Sequence, residues 1–150
     1  MKKTSKIQHS AYSIIEIGQL SELSQYSYSF PNSSIKMEGK IFVKELLGLT
    51  SSEISFNIMK PNSSIPFIHK HRENEEIYII IKGTGQILLN DTTYKIENGS
   101  IIRVSPDTER TIRNNSNKDL TFIVIQGKMN SINSKEIGDG FSIKKHPEWD

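Results

Sequence analysis

His69 and His71 stand one residue apart in "PFIHKHRENEEIYIIIKGTG" (Pro66 to Gly85), and Glu73, Glu75 and Glu76 follow within five residues. In an extended segment the period of two puts both imidazoles on one face, together with Ile65 and Phe67. Neutral imidazole is the commonest nitrogen ligand for divalent metals, so two on one strand make two legs of a site. A nearby carboxylate supplies a third leg and offsets the charge of the ion. Glu76 sits five residues past His71, at the start of the next apolar run, and Gly83 lies seven further on. An isolated His-x-His pair is a weak signal, since rim histidines often serve only structure. The same pair at this spacing from a Glu and then a Gly, within a strand-rich sequence, points to a pocket. A face of two histidines and one carboxylate suits Zn²⁺, Mn²⁺, Fe²⁺ or Ni²⁺ and leaves coordination positions open for water or a bound molecule.

These side chains need strands to position them, and the sequence supplies many. "EISFNIMK" alternates, with Ile54, Phe56 and Ile58 on one face, until "PNSS" breaks it. "EEIYIIIKG" is apolar on both faces, which predicts a strand covered on both sides. "GQILLND" and "TTYKIEN" predict a hairpin turning at Asn90-Asp91. "GSIIRVSP" ends in a proline turn, and "RTIRNNSNKDLTFIVIQGK" yields two further strands separated by "NNSNKD". Short strands at regular intervals, with no long amphipathic helix, indicate an all-β sandwich or barrel. "IFVKELLGLTSS" starts as a strand and tightens into a turn around Glu45 to Leu49. The expected organisation is an N-terminal arm over residues 1–39, a barrel over 40–127 and a tail over 128–150 packed on the barrel. Trp149, the single tryptophan, is expected to pin that tail to the barrel or to a partner subunit.

Composition narrows the function classes. The 150 residues are 35% hydrophobic and 24% charged, which suits one globular domain. A net charge of +2 with scattered Lys and Arg argues against nucleic acid as a partner. No segment has the length or apolarity to span a membrane, and "MKKTSK" is not followed by the apolar stretch of a signal peptide, so a cytoplasmic location is the expectation. Cysteine is absent, which leaves only His, carboxylate and amide oxygen as metal ligands.

"HKHRENEEIYIIIKG" resembles the first motif of the cupins, with His69, His71 and Glu76 on its metal-ligand positions. "GSIIRVSPDTERTIRN" (Gly99 to Asn114) is similar to the second cupin motif in its leading glycine, its proline and its closing asparagine. The resemblance covers residues 40 to 127. It implies a double-stranded β-helix, a small jelly roll with the metal in its mouth, and a homodimer, and it is strongest to small single-domain, mostly uncharacterised cupins. Two positions depart from the pattern. Arg110 stands where the second motif supplies a fourth ligand, a histidine, and Asp107 replaces its glycine. A guanidinium has no free lone pair and stays protonated, so Arg110 cannot coordinate a cation.

Two arrangements follow. In one, His69, His71 and Glu76 hold a divalent metal while Arg110 clamps a small polar or anionic molecule from outside. In the other, Arg110 pairs with Glu76 in place of a metal, and the pocket reads its ligand through Arg110, the two histidines and Tyr78, without catalysis. Tyr78 has a competing explanation as a core residue, as Arg103 and Arg113 have as exposed strand positions. Gln126 ends the last strand and is a weak ligand candidate.

Overall fold

The computed structural model describes residues 5–132 and 139–149. Strands β1 (Ser5–Gln8) and β2 (Ser13–Glu16) form one hairpin. A 3-10 turn (Leu20–Gln25) leads to a second hairpin of β3 (Ser27–Ser29) and β4 (Lys36–Glu38). β5 (Lys40–Phe42) follows, then a one-turn helix α1 (Lys44–Leu47) that Gly48 ends in the left-handed conformation. The remaining strands are β6 (Ser52–Met59), β7 (Ser63–Ser64), β8 (Asn74–Lys82), β9 (Thr84–Leu89), β10 (Thr92–Glu97), β11 (Ile101–Val104), β12 (Arg110–Asn114) and β13 (Leu120–Lys128).

They assemble into a jelly roll of two antiparallel sheets. One has the order β11-β8-β13-β6-β5 and the other β10-β9-β12-β7. Tyr78, Ile80, Ile87, Ile112, Phe122 and Val124 belong to the core between them. The hairpin expected at Asn90 joins β9 to β10, with Leu89 opposite Thr92. Gly83 turns the chain from β8 into β9 at a φ of +91°, and a Cβ there would lie 2.4 Å from the carbonyl oxygen of Asp119. No other residue fits that position.

The alternation of β6 is inside out relative to a simple apolar core. Asn57 lies opposite Phe122 and Ser55 opposite Val124, so these buried polar side chains share the barrel's inner face. The apolar face of Phe56 and Ile58 packs outward against Leu23 and Tyr26 of the arm. Residues 5–39 are thus more ordered than the loose arm their serine-rich sequence suggests. They bring two hairpins and a 3-10 turn that together cover one end of the larger sheet.

One expectation is corrected. β8 is buried on its inner face only. On the outer face Ile77 and Ile79 are half-covered and Ile81 is exposed, because the arm stops over β5 and β6. Of the tail expected over 128–150, Lys128 and Met129 bond to the Glu73–Asn74 end of β8, and residues 133–138 and 150 lie outside the described residues. Residues 139–149 make no ladder, and Phe141, Ile143 and Trp149 are exposed, Trp149 by 88%. Lacking alternation, this segment has no face to bury against a sheet.

Candidate metal centre

The centre is built on Glu76, which β8 presents to the barrel interior directly opposite Gln126 on β13 and Val104 on β11. The segment after β7 runs along β12. His69 and Arg110 exchange both backbone hydrogen bonds at 3.1 Å, and this pairing sets their side chains on one face. The amide of His71 donates to the carbonyl of Pro106 at 2.9 Å, which continues that alignment by one pleat. The two rings then sit 5.4 Å apart, edge to face. His69 Nε2 lies 3.8 Å from Glu76 Oε2, and His71 Nε2 lies 3.1 Å from Oε1.

Glu76 is only 3% exposed and is held by three donors. The Tyr78 hydroxyl donates to Oε2 at 2.8 Å, Arg110 Nε to Oε2 at 2.9 Å and Gln126 Nε2 to Oε1 at 3.1 Å. Burial alone would push the carboxyl's pKa up. The hydrogen bonds from Tyr78 and Arg110, aided by the charges of His71 and Arg110, outweigh it and hold the pKa below the ordinary value. Burial, reinforced by the adjacent Glu76 charge, drives the Tyr78 phenol well above its usual range. The pKa of His69 is lowered, chiefly by burial. Glu76 opposes that shift, while Arg110, His71 and Lys40 add to it. His69 is therefore neutral near pH 7, the form that offers a lone pair.

His69, His71 and Glu76 can hold a metal ion, since their ligand atoms all lie within 4.8 Å of one another. The detail of His71 fits that use. Its Nε2 is buried and has no hydrogen-bond partner, although Glu76 Oε1 is 3.1 Å away. Two ligands at right angles on one ion, each bonded at about 2.1 Å, stand about 3 Å apart. His69 Nδ1 is likewise buried without a partner.

Arg110 is fully buried; besides Glu76 it gives Nη1 to the carbonyls of Pro106 at 2.9 Å and Thr108 at 2.7 Å. Tyr78 lies in the core with its hydroxyl committed to Glu76. Both orient the carboxylate. Glu75 pairs with Arg103 and Glu73 with Lys128 at 3.5 Å, on the protein's outside. Arg113 donates to Gln86 at 2.7 Å. Gln126, weak by sequence, is a direct partner of Glu76. Lys40 was not marked by its sequence context at all. It comes into the interior because it lies opposite Asn57, and burial brings its pKa down to about 8 against the pull of Glu76 and Glu53.

A family model described as "Cupin domain" matches residues 56–126. An uncharacterized protein of Methanocaldococcus jannaschii is 33% identical over 63 residues, 42% of this chain and 50% of its own, so the chain spans about half the length of that curated relative. A crystal structure of a cupin protein from Bacteroides fragilis superposes with a TM-score of 0.67 at 29% identity, over 77% of this chain and 98% of the other. A predicted oxalate decarboxylase from Thermotoga maritima superposes with a TM-score of 0.59 at 23% identity, over 76% and 100%, and shares the fold.

Proposed function

The chain belongs to the cupins through residues 56–126, and from that premise we propose that it binds one divalent metal through His69, His71 and Glu76 and receives a small polar or anionic molecule beside it. The observation that carries this reading is the buried His71 Nε2, unpartnered yet 3.1 Å from Glu76 Oε1. Tyr78, Arg110 and Gln126 act as the outer support that fixes the carboxylate's orientation, the usual companion of a metal ligand. A divalent ion held there supplies Lewis acidity toward an oxygen of the bound molecule. The residues do the rest: the imidazoles bind, Glu76 compensates charge, and the core beneath excludes water.

The test is elemental analysis of tag-free protein beside the His69→Ala/His71→Ala double variant. One metal per native chain and none in the variant is expected; equal content in both removes the reading. The Arg110–Glu76 ion pair favours a second reading, in which the guanidinium has replaced the metal and the pocket binds its ligand without catalysis. Metal-free native protein that binds a small anion with unchanged affinity after metal is added would establish it.

A homodimer is part of the proposal. Ile101, 70% exposed, and Ile81 leave the outer face of β8 and β11 uncovered, and a second copy is the natural cover. Sedimentation equilibrium at micromolar concentration decides: a monomer there rejects a stable dimer.

A further inference from the structure

A second cleft, of about 360 Å³, opens between the free edges of the two sheets, β5 on one side and β7 on the other. Its walls are mainly apolar, formed by Met37, Met59, Ile65 and Phe122, with Lys40 and Asn57 set among them. Lys40 is half-buried there. Its ammonium donates to Asn57 Oδ1 at 2.9 Å and Ser55 Oγ at 3.3 Å and lies 4.6 Å from the centre of the Phe42 ring. All three partners are neutral. Among the described residues, no carboxylate forms an ion pair with Lys40. An ammonium has three donors, so two neutral hydrogen bonds leave one donor unfilled, and the carboxylates of Glu76 and Glu53 act on its charge only from beyond ion-pair distance.

That arrangement is costly if it serves only structure. A buried charge is tolerated when a counter-charge meets it, and an apolar side chain of equal length would satisfy Phe42 and the surrounding walls better. Burial already lowers this amine's pKa to about 8, which leaves it mostly protonated near pH 7. Ser55 and Asn57, the polar face of the inside-out strand β6, serve to hold the ammonium at the cleft wall. Lys36, Glu38 and Lys60 also line the cleft; with Lys40 the lysines outnumber the one acid, although Lys60 is partly answered by Asp119 at 3.2 Å.

We propose that this cleft is a binding site for a small carboxylate with an apolar body, whose carboxylate meets the unfilled donor of Lys40 as a contact counter-ion and whose body lies on Met59, Ile65 and Phe122. The cation selects an anion and the apolar walls select against a bare inorganic one, so specificity comes from the combination. The site uses no residue of the His69, His71 and Glu76 centre and stands whether or not that centre holds a metal.

Octanoate and its neutral amide are the probes, titrated into the full-length protein by calorimetry. Saturable octanoate binding is expected, at least tenfold tighter than octanamide. Lys40→Met keeps the stem and removes the charge, and should weaken octanoate at least tenfold. Met37→Trp, on the edge hairpin, should obstruct the cleft and weaken both probes. The His69→Ala/His71→Ala variant should bind octanoate as the native protein does. Unchanged octanoate affinity in both Lys40→Met and Met37→Trp overturns the proposal, as does absence of saturable binding by native protein. Loss of binding in the double histidine variant alone overturns it too, by moving the carboxylate to the other site.

Discussion

The guanidinium of Arg110 and the carboxylate of Glu76 form an ion pair at 2.9 Å with both side chains essentially removed from water, at 0% and 3% exposure. Neither charge has a way back to solvent in the folded state. The pair is fixed further by Tyr78 on the acid and by two backbone carbonyls on the base. It therefore joins β8 to β12, one strand from each sheet.

Removing one member exposes what the pair conceals. Arg110→Met is expected to destabilise the fold by about 3–5 kcal/mol, because Glu76 stays buried with its counter-charge gone. Urea denaturation followed by circular dichroism measures this. A loss under 1 kcal/mol would show that the pair is not buried as described.

Arg110→His tests the same position from the metal side. A third imidazole, as a fourth ligand, replaces a cation, so affinity for Zn²⁺ or Mn²⁺ should rise at least tenfold, read by competition with a chromophoric chelator. Unaltered or weaker affinity would mean that residue 110 does not face the three donors.

Tyr78→Phe deletes one donor to a buried carboxylate. The expected loss is about 1.5–3 kcal/mol of stability, the range for hydrogen bonds to charged groups. Metal affinity should fall by about tenfold as Glu76 loses its orientation. A fall in stability with affinity untouched would limit Tyr78 to a packing role.

Lys40 makes stability depend on pH in the alkaline range. Its pKa is about 8 in the folded chain against 10.5 in the ordinary state. Between those values the unfolded chain binds more protons, so stability contributed by this group rises as pH goes from about 8 to about 10.5. Lys40→Met should be the more stable protein at pH 7, and its advantage should shrink toward pH 10.5. Parallel denaturation curves with a pH-independent difference would contradict the burial of the amine.

The sequence made the strands legible because alternation and turn residues are local signals. His69, His71 and Glu76 were legible for the same reason, as one short stretch encodes their parity and spacing. Lys40 was not, and Gln126 was only a weak candidate, since each reaches the interior only through a partner strand, β6 for one and β8 for the other, and register is a long-range property. The arm escaped notice because Leu23 and Tyr26 are isolated apolar residues among serines. Only β6, with its apolar face turned outward, shows what they bury. Arg110 could be seen to be unable to ligate, but its partner Glu76 lies 34 positions away and was one of two options until the sheets closed.

Trp149 decides how these measurements can be made. The chain has one indole, and it stands in water already, 88% exposed in the segment 139–149, which forms no ladder with either sheet. Its emission will be that of a hydrated fluorophore before and after denaturation. Intrinsic tryptophan fluorescence will therefore follow the tail and stay silent about the barrel, while a tryptophan placed at the cleft by Met37→Trp would give the barrel its own optical reporter.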